Sequence, residues 1–114
     1  FADVVWTGQS TRHVREGLQR EGLTLDRLRQ AWLAISPWAY FDKFMRWPRK
    51  LLMIYAKYDL TFLPEFSRQV VAEFHRRGAD LKTVVLPCGH YTTGETPFKY
   101  IDAYQMVRFV VKNL

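Results

Sequence analysis

One cysteine, Cys88, is all that the sequence carries, so no disulfide can form within the chain and the cross-linked framework of small secreted domains is excluded. The same scarcity suits a reducing compartment, and the cytoplasm is the expected location. Long hydrophobic runs are missing too. The longest, Leu51 to Ala56, has the length of a strand and falls far short of the roughly 20 residues that cross a bilayer, so no membrane partner is expected. Charge of one sign is nowhere concentrated: the formal net charge of +6 comes without a like-charged block longer than Arg76-Arg77. Basic residues are interleaved with Glu16, Glu21, Asp26, Asp42, Glu73 and Asp80, which argues against nucleic acid as a partner. Of three His and one Cys, only Cys88 and His90 are near neighbours and no two-plus-two ligand spacing exists, so neither a metal nor another cofactor is expected.

What is present is a core-forming composition. Of 114 residues 48% are apolar and 16% aromatic, enough for one small domain or a piece of a larger one, and aromatics in that number must be covered by something. The first residue is Phe1 rather than Met, and the apolar Val4-Val5-Trp6 arrives before any cap or targeting signal, the pattern expected of a truncated or cleaved product.

Ala2 to Thr7, β-branched and aromatic and closed by Gly8, reads as a strand. Ser10 is placed to cap a helix carrying Val14 and Leu18 and ending at Gly22; Thr24 caps another, with Leu23 and Leu28 as a staple and Trp32 and Ile35 extending its apolar face. Ser36-Pro37 starts a short helix that Trp47-Pro48 terminates. The uninterrupted run Leu51–Ala56 predicts a strand covered on both faces. Pro64 opens a helix with Phe66, Val70 and Phe74 at i, i+4 and i+8, closed by Gly78, and Leu81 to Pro87 is a second strand of a β-α-β unit, hence parallel. Thr96-Pro97 starts a final helix whose stripe Ile101, Tyr104, Val107, Val111 and Leu114 is expected to pack back on the sheet. The whole predicts an α/β fold of about three parallel strands with flanking helices.

In open α/β sheets ligands bind beyond the carboxyl ends of the strands, which directs attention to the loops after Ala56 and Pro87. Those loops carry Asp59 and His90, each about three residues past its strand. Parallel neighbours lie roughly 4.8 Å apart, close enough for a carboxylate-imidazole hydrogen bond. Such a pair fixes the imidazole tautomer and stabilises the imidazolium formed when His accepts a nucleophile's proton. Spacing alone leaves open whether Asp59 and His90 are a catalytic dyad or ordinary turn residues.

Three stretches carry a resemblance. Ser36-Pro37-Trp38-Ala39-Tyr40-Phe41-Asp42-Lys43-Phe44, followed by a proline and the apolar strand, resembles the stretch before the acid-bearing strand of α/β-hydrolases in the prolyl-oligopeptidase and related esterase groups. Tyr58-Asp59-Leu60-Thr61-Phe62-Leu63-Pro64 resembles their acid loop, and Leu86-Pro87-Cys88-Gly89-His90-Tyr91 their histidine loop. The resemblance implies that residues 1–114 are the C-terminal part of such a domain, with Asp59 the triad acid and His90 the general base, and with residues 9–47 a helical, lid-like insertion rich in aromatics. Ala56 and Cys88 stand where that family often has Gly, and neither change removes a functional group.

The nucleophile is not here. No Gly-x-Ser-x-Gly elbow occurs; Gly8-Gln9-Ser10 lacks the second Gly, and Ser10 is better read as a helix cap. Cys88 reads as a small buried filler rather than a thiol nucleophile. The expectation is therefore a serine hydrolase of esters, with peptides or amides second, whose nucleophile lies outside these residues and whose fragment alone is inactive. The alternative is a non-catalytic hydrolase-like module for binding or oligomerisation. The expected partners are the remainder of its own chain, a small ester or peptide substrate, and a second copy through an exposed sheet edge.

Overall fold

The apolar run that contains no polar residue does become a strand, β1 (Lys50–Ala56), and the β-branched Thr83-Val84-Val85 forms the centre of β2 (Asp80–Leu86), in a computed structural model that describes residues 1–114. The two pair in parallel, in a register that sets Lys50 opposite Asp80 and Ala56 opposite Leu86. Between them α5 (Pro64–Arg76) makes the crossover, with Pro64 in its first turn. It stops at Gly78, whose φ of 76° lies in the left-handed region that a side chain disfavours; there the Gly78 N–H bonds the His75 carbonyl at 2.9 Å and the Ala79 N–H that of Phe74 at 3.0 Å.

Side chains alternate across the strands, so the two faces take different covers. Ile54, Ala56, Val84 and Leu86 share one face with Cys88 and receive Phe98 of the last helix, α6 (Phe98–Asn113). Leu51, Met53 and Leu81 on the other face meet Val70 and Phe74 of α5, where Phe41 adds an edge-on ring 4.6 Å from that of Phe74. Before the sheet, every regular element is helical: α1 (Ala2–Thr7), α2 (Arg12–Arg20), α3 (Leu25–Ala31), single 3-10 turns at Leu33–Ile35 and Pro37–Tyr40, and α4 (Phe41–Met45). A further 3-10 turn, Tyr91–Gly94, follows β2.

Ala2–Thr7 is a helix, not the strand its Val4-Val5-Trp6 predicts, and the sheet therefore has two strands rather than about three. Residues 9–47 continue a helical region that begins at Ala2. The reason is tertiary. Ala2 is 2% exposed against neighbouring helices, the Thr7 hydroxyl donates to the Asp3 carbonyl at 2.7 Å, and Arg29 holds the Asp3 carboxylate at 2.5 Å, contacts that together outweigh a weak β preference. Ser10 is not the cap of α2 either. Thr11 takes that position, while the Ser10 hydroxyl turns away to Thr61. Thr24 does cap α3, accepting the Arg27 N–H at 3.3 Å.

The last helix forms as expected but with a different face inward. Phe98, Asp102, Gln105, Phe109 and Asn113 are partly buried, and the Lys82 ammonium donates to Gln105 at 3.2 Å. The predicted stripe is turned out, with Tyr104 at 59%, Val107 at 62% and Val111 at 70% exposure. The molecule is a slab of 49 × 37 × 18 Å with a radius of gyration of 16.1 Å, against about 13 Å for a compact chain of this length. Only 9 residues are buried, and the accessible surface is 8095 Å², against about 6,600 Å² for a folded monomer of this mass. The core is shallow, and much apolar surface faces outward. No helix is long and apolar enough to cross a membrane.

Candidate active site

Parallel pairing carries β1 and β2 to the same end of the sheet, and the ladder does not stop with the strands. The Lys57 N–H donates to the Leu86 carbonyl at 2.8 Å and the Tyr58 N–H to the Cys88 carbonyl at 3.0 Å, so the two loops leave the sheet side by side. Gly89 sits under this join, where an added Cβ would stand 3.5 Å from the Tyr58 carbonyl oxygen.

Asp59 and His90 meet just beyond it. Asp59 Oδ2 lies 2.9 Å from His90 Nδ1. Asp59 Oδ1 accepts the N–H groups of Thr61 and Phe62, both at 2.8 Å, which closes an Asx-type turn and fixes the carboxylate. The carboxylate side chain is only 8% exposed while the imidazole is 35% exposed, an arrangement of buried orienting acid and accessible base. With Nδ1 donating to the carboxylate, a neutral ring would keep its free lone pair on Nε2. No side chain or backbone group of the chain bonds Nε2.

Two aromatic rings frame the imidazole. Phe62 lies along it at 5.3 Å with a 30° tilt, and Tyr91 stands edge-on at 5.1 Å. The histidine loop is held by its threonines: Thr92 Oγ1 accepts the Gly89 N–H at 2.8 Å, and Thr93 Oγ1 donates to the His90 carbonyl at 2.8 Å. The acid loop has a buttress that sequence reasoning missed. The Gln9 N–H donates to the Leu60 carbonyl at 3.2 Å, the Ser10 and Thr61 hydroxyls bond at 2.8 Å, and Gly8 fits because a Cβ there would come within 2.8 Å of the Val4 carbonyl oxygen and 3.1 Å of that of Thr61. Nothing local in Gly8-Gln9-Ser10 signals this, since its partners lie 51 residues along the chain.

The other candidates fall outside the pair. Cys88 is 5% exposed and packs against Ala56 and Leu86 as a filler. His13 and His75 are exposed on α2 and α5. No three His, Cys, Asp or Glu side chains converge as metal ligands would. Chemically, the Asp59–His90 pair can accept a proton at Nε2 and return it, while Asp59 stabilises the cation in between. Comparison with models of protein families, with curated proteins and with solved structures finds no match to this chain.

Proposed function

We propose that Asp59 and His90 are the acid and base of a serine-type hydrolase acting on esters, with peptides or amides a second substrate class, and that the nucleophile is supplied from outside these 114 residues. The observation that carries the reading is the 2.9 Å bond between Asp59 Oδ2 and His90 Nδ1 at the carboxyl end of a parallel strand pair, with Nε2 left free. In the step this pair serves, Nε2 removes the proton of a hydroxyl as its oxygen bonds to the ester carbonyl carbon. The imidazolium then gives that proton to the departing alkoxide as the C–O bond breaks. Water repeats the sequence on the acyl-enzyme: Nε2 takes its proton, and the protonated nucleophile leaves the carboxylic acid.

The assay is hydrolysis of 4-nitrophenyl butyrate by the full-length gene product. His90→Ala and Asp59→Asn are expected to lower kcat/KM by about 10³-fold or more in variants that circular dichroism shows to be folded. Turnover equal to wild type in both variants removes the dyad. The exposed stripe of α6 favours a second reading, a hydrolase-like module that binds or oligomerises without chemistry. Absence of any turnover in the wild-type protein, together with stable self-association, selects it.

A further inference from the structure

Beside the Asp59–His90 pair lies a cleft of about 360 Å³ between α1, the Pro37–Tyr40 turn, the sheet and α5. Its volume is in the lower part of the range of about 300–1,000 Å³ that small-molecule sites occupy. Val4, Trp38, Met53, Phe62, Phe66 and Val70 supply apolar walls. Phe62 is shared between cleft and site, since the same ring lies 5.3 Å from the imidazole of His90.

Asp3, Ser67 and Gln69 are the polar residues of the lining. Ser67 of α5 is 9% exposed, and its hydroxyl makes no hydrogen bond within the chain. Unlike the sealed hydroxyl of Thr83, it opens into the cleft. A hydroxyl that opens on the cleft without a partner inside the chain is free to donate, and a ligand oxygen is the partner this position offers. Neither Lys nor Arg lines the cleft, and the carboxylate at its edge, Asp3, is held by Arg29 at 2.5 Å. Apart from the Asp3 carboxylate the lining carries no charged side chain, so a neutral guest meets aromatic walls and the donors of Ser67 and Gln69.

We infer that this cleft binds the phenylalkyl or branched-alkyl group of a neutral ester, with the Ser67 hydroxyl donating to an oxygen of the ligand. The choice of an ester rests on the hydrolase reading; the cleft's preference for a neutral, apolar, hydrogen-bond-accepting molecule does not. The same lining gives the carboxylate product no cationic partner, so the cleft holds substrate better than hydrolysed acid.

The test separates the two. The probe is 4-phenyl-2-butanone, a ketone that offers the phenylalkyl group and one acceptor but cannot be hydrolysed, titrated calorimetrically into the full-length protein. Saturable binding in the millimolar range or tighter is expected for a ligand of this size. Ser67→Ala should weaken it about 5- to 10-fold, the worth of one hydrogen bond. Val70→Trp, which fills the cleft, should abolish it. His90→Ala should leave it within twofold while removing hydrolysis of 4-nitrophenyl 3-phenylpropionate. Absence of saturable binding, or affinity unchanged within twofold in Ser67→Ala, overturns the inference, and the second criterion stands whether or not Val70→Trp folds. Binding that depends on Ser67 in a protein without esterase turnover upholds the cleft and discards the hydrolase reading.

Discussion

Thr83 sits in the middle of β2 with its Oγ1 sealed from solvent and without a partner, the only buried side-chain polar atom in that state. An unmade bond at a buried hydroxyl costs about 1–3 kcal/mol, and valine keeps the shape while removing the group. Thr83→Val is therefore expected to stabilise the fold by about 1 kcal/mol, read as a rise of about 4–8 °C in melting temperature. A fall would mean that the hydroxyl is bonded in solution. At this scale, what the sequence disclosed about the site depended on where a residue stood along a strand. Asp59 and His90 were legible because loops at the carboxyl ends of parallel strands are where such groups are useful, and the strands themselves were plain. Ser67 and Phe62 were not. Ser67 is one polar residue among several on α5, and only the packed helix shows that it lines the cleft beside Phe62 and Val70.

Elements differ in how far their own residues decide them. Leu51–Ala56 had no polar side chain to place outside, and Pro64 with Gly78 bracketed a helix of regular 3.6-residue period, so β1 and α5 fell where their patterns put them. Val4-Val5-Trp6 carried a strand's preference into a helix because docking of Ala2 and Asp3 against the rest is worth more than that preference. On α6 the period was right and the face was wrong: Phe98 and Phe109 claim the sheet, and the longer apolar stripe is left outside. The C-terminal turn of α5 is tied electrostatically. Glu73 accepts from Arg76 at 2.6 and 2.7 Å and from Arg77 at 2.5 Å, and Arg77 reaches on to Asp42 of α4. The side-chain hydrogen bond from Arg76, then that from Arg77, hold the Glu73 carboxyl well below its ordinary 4.5, at about 2. A carboxyl whose folded value is depressed contributes stability that is fully present above its unfolded value and is lost as pH falls toward the folded one. Wild type is thus expected to lose more stability than Glu73→Gln as pH drops from about 4.5 to about 2, measured as urea midpoints across that range. Parallel curves would show that the cluster adds nothing in solution.

The molecule as a whole exposes more than its mass requires: apolar side chains lie outside along α6, and each strand of the two-stranded sheet has one edge without a strand partner. Both are surfaces that water covers poorly, and an unpaired strand edge accepts another strand. Light scattering on the 114-residue chain is expected to give a mass above 13.6 kDa that grows with concentration, and Val107→Lys with Val111→Lys should shift it downward. A constant 13.6 kDa species across the micromolar-to-millimolar range in which exposed apolar surfaces associate contradicts this.

The hydrogen bonds from Lys57 to Leu86 and from Tyr58 to Cys88 make the separation of acid and base a quantity measured out by the sheet. A slip of one residue between the strands would carry His90 about 3.3 Å along its axis and turn alternate side chains to the opposite face. That displacement exceeds the 2.9 Å bond it would have to preserve. The pairing of Leu51–Ala56 with Leu81–Leu86 therefore acts as the gauge for the site. Substitutions in the sheet interior, which touch neither Asp59 nor His90, would be felt as misalignment at the dyad before they were felt as unfolding.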